Sequence, residues 1–577
     1  MTNEGYSRRE FVKKGLATAA GLTAASFAAR AGTSAGRGAM DGSPGREGGD
    51  TLYNGIRLPE VWPPRNIDPA SREPMPVPYL DKVPDVIPID VGRQLFVDDF
   101  LIAQTDLRRR FHKARKFEGN PVLKPETDVE KQRNLPVATP KDGGVWWDPA
   151  DRKFKMWYEA GWLGDMAYAT SDDGIHWERP DLGVVRGTNV LIPPLRPDST
   201  TVFLDHDTTD PSQRYKMLIR GPGGGLTFGF SLVSPDGIEW HSPIPTGPLG
   251  DRSTMFYNPF RKKWVYSVRS SGRLRSPHGR ARFYREHAGF LEGAKWSDDD
   301  LVFWTGADDL DPPDPEIGAA AQLYNLSAVG YESLMLGFYQ IHRGPPNSVC
   351  MEEGIPKLTE LNLAYSRDGF HWHRPDRRTF IESTRNPGDW DRGYVQSVGG
   401  ICLVMGDELW FYYTGFSGDP DNNNPAWMLN GMYANGSTGI AKLRRDGFAS
   451  MDAGSRGGTL TTRPVTFDGR HLFVNVDCPG GEFRAEVLDE AGDVIAPFRA
   501  ENCQAVSVDG TRVAVRWKEE ADLSELRGRP VRFRFHLENG ALYSFWVSPD
   551  DSGASHGYVA AGGPGFDGAR DTVGNKV

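Results

Sequence analysis

The motif Ser-x-Asp-Gly-x-x-Trp recurs along this chain and constrains its fold more than any other sequence feature. Copies stand at residues 171–177, 234–240 and 366–372, and weaker copies stand at 292–296 and 445–448. An Asp-Gly pair between apolar runs favours a hairpin turn, because glycine adopts positive φ without steric cost. Five units with a period of roughly 55 to 80 residues are typical of radially repeated sheets.

A second pattern opens the first three units: an aspartate, then small residues, then an apolar strand. It begins at Asp142, Asp198 and Asp251. Runs such as 154–158 and 264–268 are rich in aromatic and β-branched residues, which favour strands. Almost no segment after the leader has the apolar period of a helix. The sequence therefore predicts an all-β fold, with a five-bladed β-propeller over residues 89–455.

The amino terminus has the pattern of an export signal. Arg8 and Arg9 precede a weakly apolar run, and residues 29–31 offer a small-x-small cleavage site. We therefore predict a twin-arginine signal peptide over residues 1–31 and a periplasmic or extracellular location; a disordered basic terminus is the alternative. No later segment approaches about 18 consecutive apolar residues, so we predict no membrane span in the mature chain.

Composition divides the remainder of the chain. Residues 32–88 are rich in Pro and Gly and predict a surface linker. Residues 89–102 resemble strands and precede the first blade, where they are expected to close the last one. Residues 459–548 alternate in polarity between regular turns, which predicts a small β-sandwich. Residues 549–577, rich in Gly, Asp and Ser, predict a disordered tail.

Charge and cysteine content exclude several classes of partner and cofactor. The net charge of −10 argues against nucleic acid or an anionic membrane, both of which need a basic face. The four cysteines have no zinc spacing. Cys478 and Cys503 lie in one small region and either form a disulfide after export or remain separate buried thiols. No cofactor is expected, although channel acids leave room for a structural calcium ion.

The chain resembles the five-bladed β-propeller glycoside hydrolases, the superfamily that contains invertase-like and arabinofuranosidase-like enzymes. The resemblance rests on the five-unit plan, the strand-start aspartates and the phrases at 156–158, 168–177 and 251–259, and it covers about residues 89–452. The invertase signature Trp-Met-Asn-Asp-Pro-Asn-Gly and its Arg-Asp-Pro are absent. The recurring motif is also similar to the Asp-box of sialidases, but no arginine triad or tyrosine nucleophile can be assigned.

What the resemblance implies is an enzyme that cleaves an oligo- or polysaccharide, with furanosides among the candidate substrates. A non-catalytic propeller that binds glycans or partner proteins is the alternative. A phosphorylase or lyase also remains open, since a fold does not fix its chemistry.

Acids at equivalent strand starts should form a ring at one mouth of a propeller channel. Asp142, Asp198 and Asp251 hold this position in three blades, and Glu316 is the nearest acid in the fourth. The resemblance implies that Asp142 acts as nucleophile or general base and that Asp198 stabilises the transition state. A general acid must stay protonated, and Arg252 next to Asp251 would favour the ionised form, so Glu316 is the predicted acid. The alternative is that these acids only cap strands.

Further side chains near the predicted channel are candidate substrate-binding groups: Trp146, Trp147, Arg220, Arg252, His342, Asp391, Arg392 and Gln396. Neighbours on a strand face opposite ways, so only one of the two tryptophans is expected to face the channel. The alternative for the charged groups is a structural ion pair, and for the lone histidine it is a structural role.

Overall fold

The structure, a computed structural model, describes residues 49–192, 198–220, 228–269, 274–418 and 431–574. The predicted signal peptide and the first part of the predicted linker lie outside these residues. The regular structure is almost entirely β-strand, which confirms the all-β fold class. Across the described ranges, no helix is both long and apolar enough to cross a membrane.

In the part of the chain that the structure describes, helices are few and short. The α-helices span Pro78–Asp81, Phe290–Gly293 and Asn347–Glu353, and the 3-10 helices span Gln132–Asn134, Pro211–Gln213, Asp298–Asp300, Gly431–Tyr433, Ala496–Phe498 and Ser524–Leu526.

Five antiparallel sheets follow one another along the chain, and each is numbered here in chain order. Sheet 1 contains Ala138–Asp148, Lys153–Ala160, Asp165–Ser171 and Val190–Ile192; sheet 2 contains Thr200–Leu204, Tyr215–Arg220, Gly229–Ser234 and His241–Pro245; sheet 3 contains Thr254–Asn258, Lys263–Val268, Arg282–His287 and Val302–Thr305; sheet 4 contains Gln322–Glu332, Leu334–Gly344, Leu358–Ser366 and Tyr558–Val559; sheet 5 contains Gly393–Ser397, Leu403–Met405, Glu408–Phe416, Gly436–Arg444 and Arg115–Lys116.

The five sheets form a closed ring. Each sheet packs against the next one, and sheet 5 packs against sheet 1. Arg115–Lys116 supplies the outer strand of sheet 5 by pairing with Gly436–Arg444. A segment that precedes sheet 1 therefore closes the last sheet, but it lies at residues 115–116 and not at the expected residues 89–102.

The three strong motif copies form the same turn at the outer side of sheets 1, 2 and 4. In the first copy the Ser171 hydroxyl accepts a hydrogen bond from the amide of Gly174 at 2.9 Å. The Asp173 carboxylate accepts two amide hydrogen bonds at 2.8 Å each. The other copies repeat these bonds within 0.1 Å. The motif recurs because its serine and aspartate satisfy the amides of a tight turn.

Two further sheets pack on a shared apolar core. One contains Asp509–Ala514, His471–Asp477, Gly540–Ser548, Ala449–Ala453, Arg108–Phe111 and Gln94–Leu95; the other contains Glu482–Leu488, Arg532–Glu538, Gly458–Thr462 and Ile102–Thr105; a parallel pair joins Ile87–Pro88 to Val465–Thr466. Residues 87–111 thus belong with the carboxy-terminal sheets, because Ile89, Phe96 and Phe100 bury in their core. The predicted domain boundary at residue 89 is corrected accordingly.

The predicted linker and tail are packed wherever the structure describes them. Ile56, Leu58 and Tyr79 belong to the core of the carboxy-terminal sheets. Tyr558–Val559 pairs with the first strand of sheet 4, and Phe566 is buried. The prediction of a disordered tail is therefore wrong. The tail is rich in Gly, which suggested disorder, but a few of its residues are apolar. These residues pair with the edge of one sheet and pack into the core of its neighbours.

All four cysteines are buried free thiols. The sulfur of Cys478 lies 3.4 Å from the Val506 carbonyl, and that of Cys503 lies 3.5 Å from the Gln504 carbonyl. Of the two alternatives for this pair, the structure has the separate thiols.

Candidate active site

Asp142 lies where strands of sheets 1, 4 and 5 meet the segment that precedes sheet 3. Its Oδ1 accepts hydrogen bonds from Asn325 Nδ2 at 2.9 Å and from Ser397 Oγ at 3.2 Å. Its Oδ2 lies 2.9 Å from Arg252 Nη2. The buried carboxylate of Asp142 in sheet 1 is therefore held by side chains of sheets 4 and 5 and by Arg252, which precedes sheet 3.

The backbone around Asp142 is locally irregular. The strand Ala138–Asp148 shifts register between Thr139 and Gly144, and Asp142 has a φ of 135°. A Cβ at Gly143 would lie 2.1 Å from the carbonyl oxygen of Trp157, so this position needs glycine. The Asp-Gly-Gly sequence thus forms a bulge, and bulges commonly redirect a side chain at functional sites.

The protonation of Asp142 suits acid–base chemistry. Burial raises the pKa of Asp142 to about 6, although Arg252 and Arg282 oppose the shift. A carboxylate with this pKa is mostly ionised at neutral pH and remains a useful base, since general bases work best with a pKa near the operating pH.

A narrow pocket opens beside this bulge and is lined by Lys141, Glu159, Asp198 and Ser199, among others. Glu159 is the last residue but one of the second strand of sheet 1 and is 5% exposed. Its Oε2 lies 2.6 Å from Lys141 Nζ. Burial raises the pKa of Glu159, and Asp198 adds to the shift, whereas Lys141 lowers it. Glu159 is therefore a buried carboxyl group whose pKa is raised above that of a free glutamate.

Sequence reasoning missed Glu159. The available signal was an acid near the end of the otherwise apolar run 156–160, because a carboxyl group is rarely buried among apolar residues unless it has a partner or a role. It also missed Asn325 and Ser397, which hold Asp142. Neither residue type has a chemical signature that distinguishes it from ordinary strand residues.

Asp198 and Asp251 lie just before the first strands of sheets 2 and 3, and each is paired with an arginine. Asp198 pairs with Arg220 and lines the same pocket as Glu159. Asp251 pairs with Arg269. Arg252, which was expected to ionise Asp251, instead turns to Asp142. Asp142, Asp198 and Asp251 thus each have an arginine partner.

Glu316 does not fit the predicted role of general acid. Its side chain is 80% exposed, and its nearest cation is Arg385 at 3.8 Å. A carboxyl group needs burial or a close like charge to stay protonated near neutral pH. Glu316 lies in the loop before Gln322–Glu332 and lacks that burial.

Neither predicted tryptophan faces the site. Trp146 donates a hydrogen bond to the carbonyl of Val202 at 2.9 Å and packs on Phe203, between sheets 1 and 2. Trp147 is also buried and packs on Phe154. The expectation that one of them faces the channel is corrected, because both belong to the core beyond the bulge.

Two further predicted binding groups, His342 and Asp391, interact with other side chains of the protein. His342 stacks on Tyr324 with 5.6 Å between the ring centroids, and burial lowers its pKa to about 3, so it is neutral. Asp391 lies 2.6 Å from Lys116 Nζ and accepts a hydrogen bond from the Tyr413 hydroxyl, which is the structural ion pair that we named as its alternative.

Arg392 and Gln396 have no assigned contact with the pocket. Arg392 is half-buried and has backbone hydrogen bonds to Asp389 and Arg385. Gln396 is fully buried on the strand that carries Ser397, and its amide group has no hydrogen-bond partner among the described residues.

The described residues contain no group of three or more His, Cys, Asp or Glu side chains placed to hold a metal ion.

No family model matches the chain, and no curated protein matches it. Solved structures match the chain at low sequence identity. An N-acetylgalactosamine deacetylase from F. plautii is 14% identical, with 60% of this chain and 96% of that chain covered and a TM-score of 0.39. A thermostable family-43 glycoside hydrolase is 13% identical, with coverages of 54% and 95% and a TM-score of 0.35. An exo-beta-1,3-galactanase from Phanerochaete chrysosporium is 10% identical, with coverages of 76% and 99% and a TM-score of 0.32. These values are too low to carry chemistry to this chain.

Proposed function

We propose that this protein is an exported glycoside hydrolase that cleaves a glycan in a pocket at one mouth of a five-bladed β-propeller, with the carboxy-terminal sheets as a β-sandwich. The observation that carries the proposal is the set of carboxyl groups at the pocket. Glu159 and Asp198 line it from two different sheets, and Asp142 is buried beside it. Hydrolysis of a glycosidic bond needs two carboxyl groups that flank the bond.

The environments of the carboxyl groups suggest their roles. Glu159 is the proposed general acid in place of Glu316, because burial raises its pKa. Asp142 is the proposed base or nucleophile, held in place by Asn325 and Ser397. Asp198, paired with Arg220, is proposed to stabilise the positive charge that develops on the sugar ring in the transition state.

The test is an assay of released sugars on a panel of glycans that includes furanosides and pyranosides. Glu159→Gln removes the acid but keeps the shape of the side chain, so we expect turnover to fall by about 100-fold or more. Glu316→Gln is the matched control, since it makes the same change on an exposed acid, and it should keep full turnover. Full activity of the Glu159→Gln protein would remove Glu159 from the mechanism.

The panel also separates the enzyme from the alternative of a binding module. A binding module would bind at least one glycan of the panel without releasing any sugar. If the unsubstituted protein does this on every glycan that it binds, the hydrolase proposal is wrong.

A further inference from the structure

Basic side chains outnumber carboxylates around the candidate active site. The basic groups are Lys141, Arg220, Arg252, Arg269, Arg280, Arg282 and Lys357, and the carboxylates are Asp142, Glu159, Asp198 and Asp251. Four of the basic groups pair with the four carboxylates. The remaining three, Arg280, Arg282 and Lys357, form no ion pair with a carboxylate among the residues that the structure describes.

The groups that contact Arg280 and Lys357 are a side-chain amide and aromatic rings, and none of them is a carboxylate. Arg280 donates a hydrogen bond to Gln322 Oε1 at 2.8 Å, and its guanidinium lies 5.1 Å from the ring centroid of Tyr324. Lys357 Nζ lies 5.2 to 5.7 Å from the ring centroids of three tyrosines, Tyr324, Tyr394 and Tyr433. Aromatic faces attract cations but do not neutralise them.

Arg282 is the most deeply buried of the three. It has no exposed surface, and its Nη1 donates to the carbonyl of Arg252 at 2.8 Å. Its Nε and Nη2 have no hydrogen-bond partner in the described part of the chain. The nearby carboxylate of Asp142 attracts Arg282 but is already paired with Arg252. Two buried cations that share one carboxylate are unfavourable, so this arrangement favours a bound anion.

The excess of positive charge also acts on Tyr324. Burial raises the pKa of this phenol, but Lys357, Arg280, the Tyr394 hydroxyl and Arg252 lower it to about 7. The protein as a whole has a net charge of −10. The positive potential is therefore a local property of this site and not a consequence of composition.

We propose that this site binds an oxyanion, which Arg280 and Lys357 contact and Arg282 supports from behind. The oxyanion is either a carboxylate or sulfate on a sugar unit of the glycan, or a free inorganic ion such as phosphate. Guanidinium and ammonium groups are the donors that bind such groups most strongly in proteins. The proposal rests on the proposed hydrolase function only for the glycan part of the ligand.

The experiment measures binding and needs no turnover. The probes are inorganic phosphate, inorganic sulfate, a uronic-acid oligosaccharide and the same oligosaccharide with its carboxyl groups reduced. Binding is followed by calorimetry and by the ultraviolet signal of tyrosinate during a pH titration. A bound oxyanion should raise the midpoint of the tyrosine that titrates near pH 7, because it cancels part of the positive potential.

Arg280→Gln is the test variant, and Arg275→Gln is the matched control from the same segment, where the side chain is exposed. We expect the first to weaken binding of the oxyanion by about tenfold or more, as loss of a charge-assisted hydrogen bond does, and the second to leave binding unchanged. The proposal is overturned if no anionic probe binds better than the neutral oligosaccharide, or if both variants bind like the unsubstituted protein.

Comparison of the probes identifies the source of the oxyanion. Tighter binding of the acidic oligosaccharide than of its reduced form places the anion on the sugar, whereas binding of phosphate alone identifies a free ion. Anion binding without cleavage of any glycan would contradict the hydrolase proposal and leave the oxyanion site standing.

Discussion

At the scale of single residues, Asp142 links the protonation of the site to its proposed chemistry. A proposed base must be ionised, and burial raises the pKa of Asp142 to about 6. We therefore expect the acidic limb of the kcat/KM profile to have its midpoint near pH 6, with activity rising as the pH increases. Asp142→Asn should lower kcat/KM by about 100-fold or more. If the Asp142→Asn protein kept the acidic limb and the kcat/KM values of the unsubstituted protein, Asp142 would be excluded as the base.

The stability of the same variant provides a separate check. Because the folded-state pKa of Asp142 is raised, its contribution to stability is fully present below pH 3.8 and is lost as the pH rises through about 6. The neutral asparagine side chain of the Asp142→Asn protein does not lose stability as the pH rises. This gain offsets the weaker interaction of asparagine, compared with aspartate, with Arg252. We expect the free energy of unfolding at pH 7 to change by only about 1 kcal/mol, measured by denaturant titration. A much larger loss would identify Asp142 as a structural residue.

At the scale of elements, the turn motif ties neighbouring sheets together. Trp157 of sheet 1 donates its indole N–H to the carbonyl of Gly237 in the turn of sheet 2, at 2.7 Å. A Cβ at Gly237 would lie 2.5 Å from a carbon of the Trp157 ring, and Gly237 has a φ of 80°. The glycine is therefore required both for its backbone conformation and for the approach of the tryptophan.

Gly237→Ala should lower the free energy of unfolding by about 2 kcal/mol or more, since it adds a steric clash to a strained backbone. Gly183→Ala is the control. Gly183 also has a positive φ, of 68°, but nothing lies within 4 Å of the position that a Cβ would take. Gly183→Ala should therefore lower the free energy of unfolding by only about 1 kcal/mol. Thermal unfolding followed by circular dichroism compares the two. Equal losses would show that packing of the turn against sheet 1 contributes little.

At the scale of the whole molecule, a buried charge cluster joins the ring of sheets, the carboxy-terminal sheets and the tail. Arg445 pairs with Glu332 at the end of sheet 4 and with Asp571 of the tail, at 3.2 and 3.1 Å. Arg93 pairs with Glu332 and with Asp446. Because these side chains are at most 2% exposed, each depends on its partners to offset the loss of hydration.

Asp571→Asn should therefore destabilise the fold by about 3 kcal/mol or more, as removal of one partner from a buried ion pair does. It should also expose the tail to limited proteolysis. Asp567→Asn is the control, since Asp567 is an exposed acid in the same segment. Burial raises the pKa of Asp571, but Arg445, Arg93 and two backbone amides together lower it below its usual value. Its stabilisation is therefore present above pH 3.8 and is lost as the pH falls through the folded-state pKa. If the two variants melt alike at neutral pH, the tail does not depend on this cluster.

The features that could be predicted from the sequence are those that depend on local interactions. Strand periodicity and the recurring Ser-x-Asp-Gly-x-x-Trp motif predicted the all-β class and the outer turns, because the motif's own side chains bond its own backbone. The Asp-Gly-Gly sequence also made Asp142 a candidate, although the structure has it at a bulge inside the strand Ala138–Asp148 and not at a strand start.

Which groups lie together in the site could not be predicted from the sequence, because it depends on the tertiary fold. Glu159, Asn325 and Ser397 lie far apart in sequence and meet near Asp142 because the ring of sheets closes. The exposure of Glu316, the burial of Trp146 and Trp147, and the packing of the tail depend on neighbours from other sheets. The charge balance around Tyr324 has the same origin, since burial and electrostatic potential are set by groups that the chain brings together only when it folds.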